Sequence, residues 1–72
     1  KGQAMTGSEL RMIQAQLGVS NVRLAKWLGR SVGTISNYRA EPDNPLWSPI
    51  PEAEAKLFAM LRDGTLPEEH RP

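Results

Sequence analysis

The chain has 72 residues, no cysteine, a single histidine and a formal net charge of +1. These numbers exclude a disulfide framework and a thiolate zinc site, and His70, alone in a polar stretch, cannot build a metal site. No apolar run approaches the ~20 residues needed to span a bilayer, and no basic region followed by an apolar stretch reads as a secretion signal, so a cytoplasmic, single-domain protein without a cofactor is expected.

Lys1–Ala4 reads as an expression-tag remnant ahead of a natural start at Met5, and residues 5–64 as the folded domain. Thr6-Gly-Ser-Glu9 fits a capping box, in which a threonine hydroxyl and a glutamate three residues on satisfy each other's backbone N–H groups. Leu10, Ile13 and Leu17 follow at helical spacing as one apolar stripe. Gly18 supplies the left-handed stop, giving a first helix over about Gly7–Leu17. Ser20 is an N-cap for a second helix, Asn21–Leu28, whose inward residues are Leu24, Ala25 and Leu28, with Gly29 closing it. Ser31 caps a third, Val32–Arg39, with Ile35 and Tyr38 inward.

Glu41–Pro51 contains Pro42, Pro45, Pro49 and Pro51, and reads as a loop ending with Pro51 as the first residue of a fourth helix. Trp47 in this loop is expected to fold back onto the core as an anchor, or else to stand out as a dimer contact. In the fourth helix Ala53, Leu57, Met60 and Leu61 read as the inward stripe with Phe58 flanking it, and Gly64 as the stop. Glu52 and Glu54 early and Arg62 late match the helix dipole. The two carboxylates, two positions apart, point to different faces and form no catalytic pair. Thr65–Pro72 reads as a flexible polar tail. The fold class is therefore all-α, a compact bundle of four helices with a fifth left open.

Charge is unevenly spread. Leu10–Ala40 carries five bases (Arg11, Arg23, Lys26, Arg30, Arg39) and no acid, whereas Glu41 to the end carries seven acids and three bases. One end of the domain is basic and the other acidic, a pattern suited to presenting one face to a polyanion.

The stretch from Asn21 to Tyr38 places two short helices on either side of a tight turn. Ala25 is small where the second helix passes, Gly29 allows the reversal, and Ile35 and Tyr38 anchor the second helix, leaving Val32, Gly33, Ser36 and Asn37 on its outer face. Leu17-Gly-Val-Ser20, Leu24-Ala25, Leu28-Gly29, Ser31 and Thr34-Ile-Ser36, taken in order, resemble the Xre/Cro repressor family of helix-turn-helix proteins, the lambda repressor-like DNA-binding domains, over Thr6 to about Gly64.

The resemblance implies a bacterial or phage transcriptional regulator, a repressor, that binds duplex DNA as a homodimer on a palindromic operator. Its recognition helix, Val32–Arg39, would lie in the major groove while the preceding helix crosses the backbone. Base contacts are then expected from Ser31, Val32, Gly33, Thr34, Ser36 and Asn37, with Asn37 suited to adenine and Val32 to a thymine methyl. Phosphate contacts are expected from Asn21, Arg23, Lys26, Arg30 and Arg39.

Three departures stand out. Arg30 occupies a turn position where relatives carry an aliphatic residue. Gly33 offers no side chain at a prime reading position, which points to close backbone approach or to selectivity carried elsewhere. The Glu41–Pro51 loop replaces a helix that many relatives have. The alternative is a protein-interaction adaptor of the same fold that has lost DNA binding. Trp27, outside the expected core positions, reads as core edge or as part of a protein interface. No nucleophile–base pair, metal constellation or phosphate-cradling glycine loop suggests an enzyme.

Overall fold

Four α-helices form between the capping residues: α1 Gly7–Leu17, α2 Asn21–Leu28, α3 Val32–Arg39 and α4 Glu52–Asp63. A short 3₁₀ turn follows at Glu68–His70, and there is no strand among the described residues. This computed structural model describes residues 5–72; the expected tag Lys1–Ala4 lies outside them.

The helix starts follow from side-chain chemistry. Thr6 Oγ1 accepts from Glu9 N–H at 3.1 Å while Glu9 accepts from Thr6 N–H at 2.9 Å, a complete capping box. Ser20 Oγ accepts from Arg23 N–H, and Ser31 Oγ from Thr34 N–H, each at 3.1 Å. Gly29, at φ 72°, lets the chain leave α2 and enter α3 within three residues. α4 begins one residue later than expected, with Pro51 in the cap position and Glu52 as its first residue.

α1 is central, packing on both α3 and α4, while α2 packs on α3. The radius of gyration is 11.5 Å, close to the ~11 Å expected of a folded chain of this length. Leu10, Leu24, Ile35 and Phe58 are fully buried, one from each helix. Each contributes roughly 1.5–3 kcal/mol by leaving water. α4 reaches α2 through the Phe58 and Trp27 rings, 6.5 Å apart and tilted by 39°.

Several expected packing roles are corrected. Leu17 is 45% exposed, so the α1 stripe is Gly7, Leu10, Ile13 and Gln14. On α4 the buried residues are Glu54, Phe58 and Leu61, with Ala53 and Met60 exposed. The inward face is thus turned onto Phe58, because Glu54, a charge at a core position, has a partner that local periodicity does not reveal. Ile50 is the residue that anchors the long loop in the core, whereas Trp47 is 39% exposed.

The stretch read as a polar tail is packed. Leu66 joins the core at 7% exposure, Trp27 donates its indole N–H to the His70 carbonyl at 2.6 Å, and Arg71 donates to the carbonyls of Leu66 and Gly64. Trp27 is therefore a core-edge residue, half-buried against Phe58 and the carboxy-terminal segment. No helix among the described residues is long and apolar enough to cross a membrane.

Candidate nucleic-acid interface

α3 buries Ile35 and Tyr38 and turns the opposite face outward. Val32, Gly33 and Ser36 are exposed on that face; Thr34 and Asn37 are half-buried. Ser31 is exposed, but its hydroxyl caps the helix and also meets the Thr34 hydroxyl at 2.9 Å, so these two polar groups are partly committed to each other. The Asn37 carbonyl accepts from Ser48 N–H at 3.1 Å, tying the loop to the end of α3. A Cβ built on Gly33 would meet Ser31 Oγ at 3.8 Å, ordinary van der Waals contact. Nothing in the packing of the described residues therefore requires glycine there.

The five basic residues divide into two groups. Arg23 and Lys26 are exposed on α2, and no acid forms an ion pair with them or with Arg39 among the described residues. Arg11 and Arg30, by contrast, are each bound to an acid from the acidic half of the chain. Arg11 pairs with Glu41 at 2.8 Å and donates to the Arg39 carbonyl. Arg30 binds Glu54 Oε2 through Nε at 2.8 Å and through a terminal nitrogen at 2.6 Å.

Arg30, expected to meet a phosphate, is thus engaged with Glu54. The Glu54 side chain is only 11% exposed and its Oε1 is buried with no partner among the described residues. Drawing Arg30 away would leave a carboxylate in low dielectric without its counter-charge, which is costly. The hydrogen bond and charge of Glu54 raise the Arg30 pKa. Burial, assisted by the same carboxylate, pushes the Tyr38 phenol up to about 12, so the inward end of α3 stays neutral.

Asn21 and Arg39, distant in sequence, are brought together. The Asn21 Oδ1 accepts from Gln14 Nε2 at 2.9 Å and from the Arg39 guanidinium. Gln14 also donates to the Val19 carbonyl at 3.1 Å. Gln14, Val19 and Arg39 line a cleft of ≈ 350 Å³ where the α1–α2 connection meets the end of α3, bordered also by Arg11 and Ser20. Arg11 and Gln14 at this cleft, and Glu54 at Arg30, were not among the expected contact residues. The available signal was a polar residue four positions after Leu10 on an otherwise apolar stripe, which is Gln14.

Comparison with known protein families, curated proteins and solved structures finds no match to this chain.

Proposed function

We propose that the chain is a helix-turn-helix module of the Xre/Cro, lambda repressor-like type that binds duplex DNA and regulates transcription, as a repressor. α3 enters the major groove, with Val32, Gly33, Ser36 and Asn37 toward base edges and Ser31 and Thr34 at the mouth. Asn21, Arg23, Lys26 and Arg39 meet phosphates and set the register, while Arg30 is held back by Glu54. A homodimer on a palindromic site follows from the same reading, since two-fold protein symmetry matches half-sites one helical turn apart.

The observation that carries this reading is the outward face of α3. Val32, Gly33 and Ser36 are solvent-facing, low in relief and uncharged, on a stretch from Leu10 to Ala40 that contains no acid. Beside it Arg23, Lys26 and Arg39 form no ion pair with an acid among the described residues, which suits the approach of a polyanion.

Selection of bound duplexes from a random library, followed by titration at several salt concentrations, tests the proposal. A defined half-site motif is expected, with log affinity falling against log salt at a slope of about −0.9 per phosphate contacted. With Arg23, Lys26 and Arg39 as the available cations, the slope is about −3 per domain. Asn37→Ala should cost roughly 1–3 kcal/mol and relax preference at one base position. Absence of binding to any duplex at low salt overturns the proposal.

The pairing of two of the five bases with acids favours a second reading, a protein-interaction adaptor of the same fold. That reading predicts no duplex binding at any salt concentration and retention of a protein partner by the α3 face.

A further inference from the structure

We infer that Gln14, a buried side chain on α1, is a positioning residue that orients Asn21 as a phosphate donor; this rests on the duplex-binding reading above. Gln14 is 6% exposed and lies among Leu10 and Ile13 on the inward side of α1, at a position that packing alone would give to an aliphatic residue. Its Nε2 is fully used, bonding the Val19 carbonyl and the Asn21 Oδ1, while its Oε1 is buried with no partner among the described residues. An orphaned buried carbonyl is a standing cost that an apolar residue would avoid. One of its two bonds holds the Val19 carbonyl at the α1–α2 connection, a structural contact; the other, to Asn21, is the one that reaches the proposed interface.

What that bond does follows from the chemistry of the Asn21 amide. A side-chain amide offers one acceptor oxygen with two lone pairs and one NH₂ donor. Gln14 from below and Arg39 from the end of α3 both donate to the Asn21 oxygen, so its acceptor capacity is saturated. The rotamer is thereby fixed, and the NH₂ is the group Asn21 can offer a ligand, at the first residue of α2. An anion is the partner that an NH₂ donor, a helix amino end and the Arg39 guanidinium accept in common. Gln14 touches no ligand in this arrangement; it acts through Asn21.

Gln14→Met, of similar volume and without the amide, tests the inference. The orphaned oxygen disappears and so does the donor to the Val19 carbonyl, two effects of opposite sign, so the thermal midpoint is expected to move little, while duplex affinity falls about five- to tenfold, the size expected when one hydrogen-bonded group loses its orientation. Asn21→Ala should fall by a similar factor, and the double variant no further than Asn21→Ala alone. Losses that multiply in the double variant, or wild-type affinity in Gln14→Met, overturn the inference while leaving duplex binding intact.

A readout without DNA separates the two ideas. Nitrogen relaxation of the Asn21 side-chain amide should show an ordered NH₂ in the wild-type chain and a freely averaging one in Gln14→Met. An equally ordered amide in both overturns the positioning role whatever the DNA result, and absence of wild-type duplex binding with a Gln14-dependent amide overturns the phosphate role.

Discussion

Arg30 and Glu54, 24 residues apart, meet with two guanidinium nitrogens on one carboxylate oxygen, at 2.8 and 2.6 Å. The pair ties the α2–α3 turn to α4 and engages one of the cations of the proposed interface. Arg30→Ala is therefore expected to lower the thermal midpoint more than Arg23→Ala or Lys26→Ala, because only Arg30 leaves a largely buried carboxylate unpaired. A double Arg30→Met, Glu54→Leu variant should recover most of the loss. In DNA titrations Glu54→Gln should loosen Arg30 and steepen the salt slope by up to about 0.9. An unchanged slope in a folded Glu54→Gln chain would show that Arg30 is not restrained by this contact.

Two glycines on helices give opposite expectations. A Cβ on Gly7 would meet the carbonyl oxygens of Tyr38 at 2.7 Å and Ala40 at 2.9 Å, both backbone atoms that cannot turn aside. Gly7→Ala should destabilise by about 1–3 kcal/mol in urea unfolding, the usual cost of overpacking. Gly33 has room, so Gly33→Ala should stabilise by about 0.5–1 kcal/mol through helix propensity. If DNA approaches the α3 backbone closely, the same change weakens sequence-selective binding while leaving the salt slope alone. Stability and binding moving in the same direction would count against close approach at Gly33.

The carboxy-terminal segment belongs to the folded unit. Leu66→Ala is expected to cost about 2–5 kcal/mol, a large share of the stability of so short a chain. Exposed Leu17 and Leu46 serve as controls: alanine there should stay within about 0.5 kcal/mol. Urea unfolding of the three variants checks the ordering, and an innocuous Leu66→Ala would place Leu66 outside the core.

Tyr38 gives the chain an alkaline limit. Its pKa is raised from 10.0 to about 12, mainly by burial and then by Glu54. The folded state thus holds the phenolic proton more tightly than the unfolded one. The stability this represents is complete below pH 10 and drains away as pH rises toward about 12. The chain has one tyrosine, so tyrosinate absorbance reports it without overlap. The titration should be displaced upward in the folded protein, and Tyr38→Phe should lack this part of the alkaline fall in thermal midpoint.

Helix limits were legible because they depend on neighbours in sequence. Thr6 with Glu9, Ser20 with Arg23 and Ser31 with Thr34 each close a contact within three residues, and the bounds of α1, α2 and α3 match the expectation. The inward phase of α4 was not legible, because Glu54 is neutralised by a residue on another element. Leu66 looked like part of a tail for the same reason: its segment is held by Trp27, whose bond to His70 spans 43 residues. The outer face of α3 could be listed from periodicity, yet the division of the bases into bound and unbound sets could not. It requires knowing that Glu41 lies at Arg11 and Glu54 at Arg30.

The indole of Trp27, bonded to the His70 carbonyl and half-buried beside Phe58, and that of Trp47, partly open to water on the long loop, are the two tryptophans of the chain. They form a pair of built-in optical gauges at separate places. Trp27 should emit at shorter wavelength and resist a soluble quencher, and Trp47 should do the reverse. Trp27→Phe and Trp47→Phe chains would then read two events independently, the undocking of the last residues in one case and occupation of the loop surface in the other, without any added label.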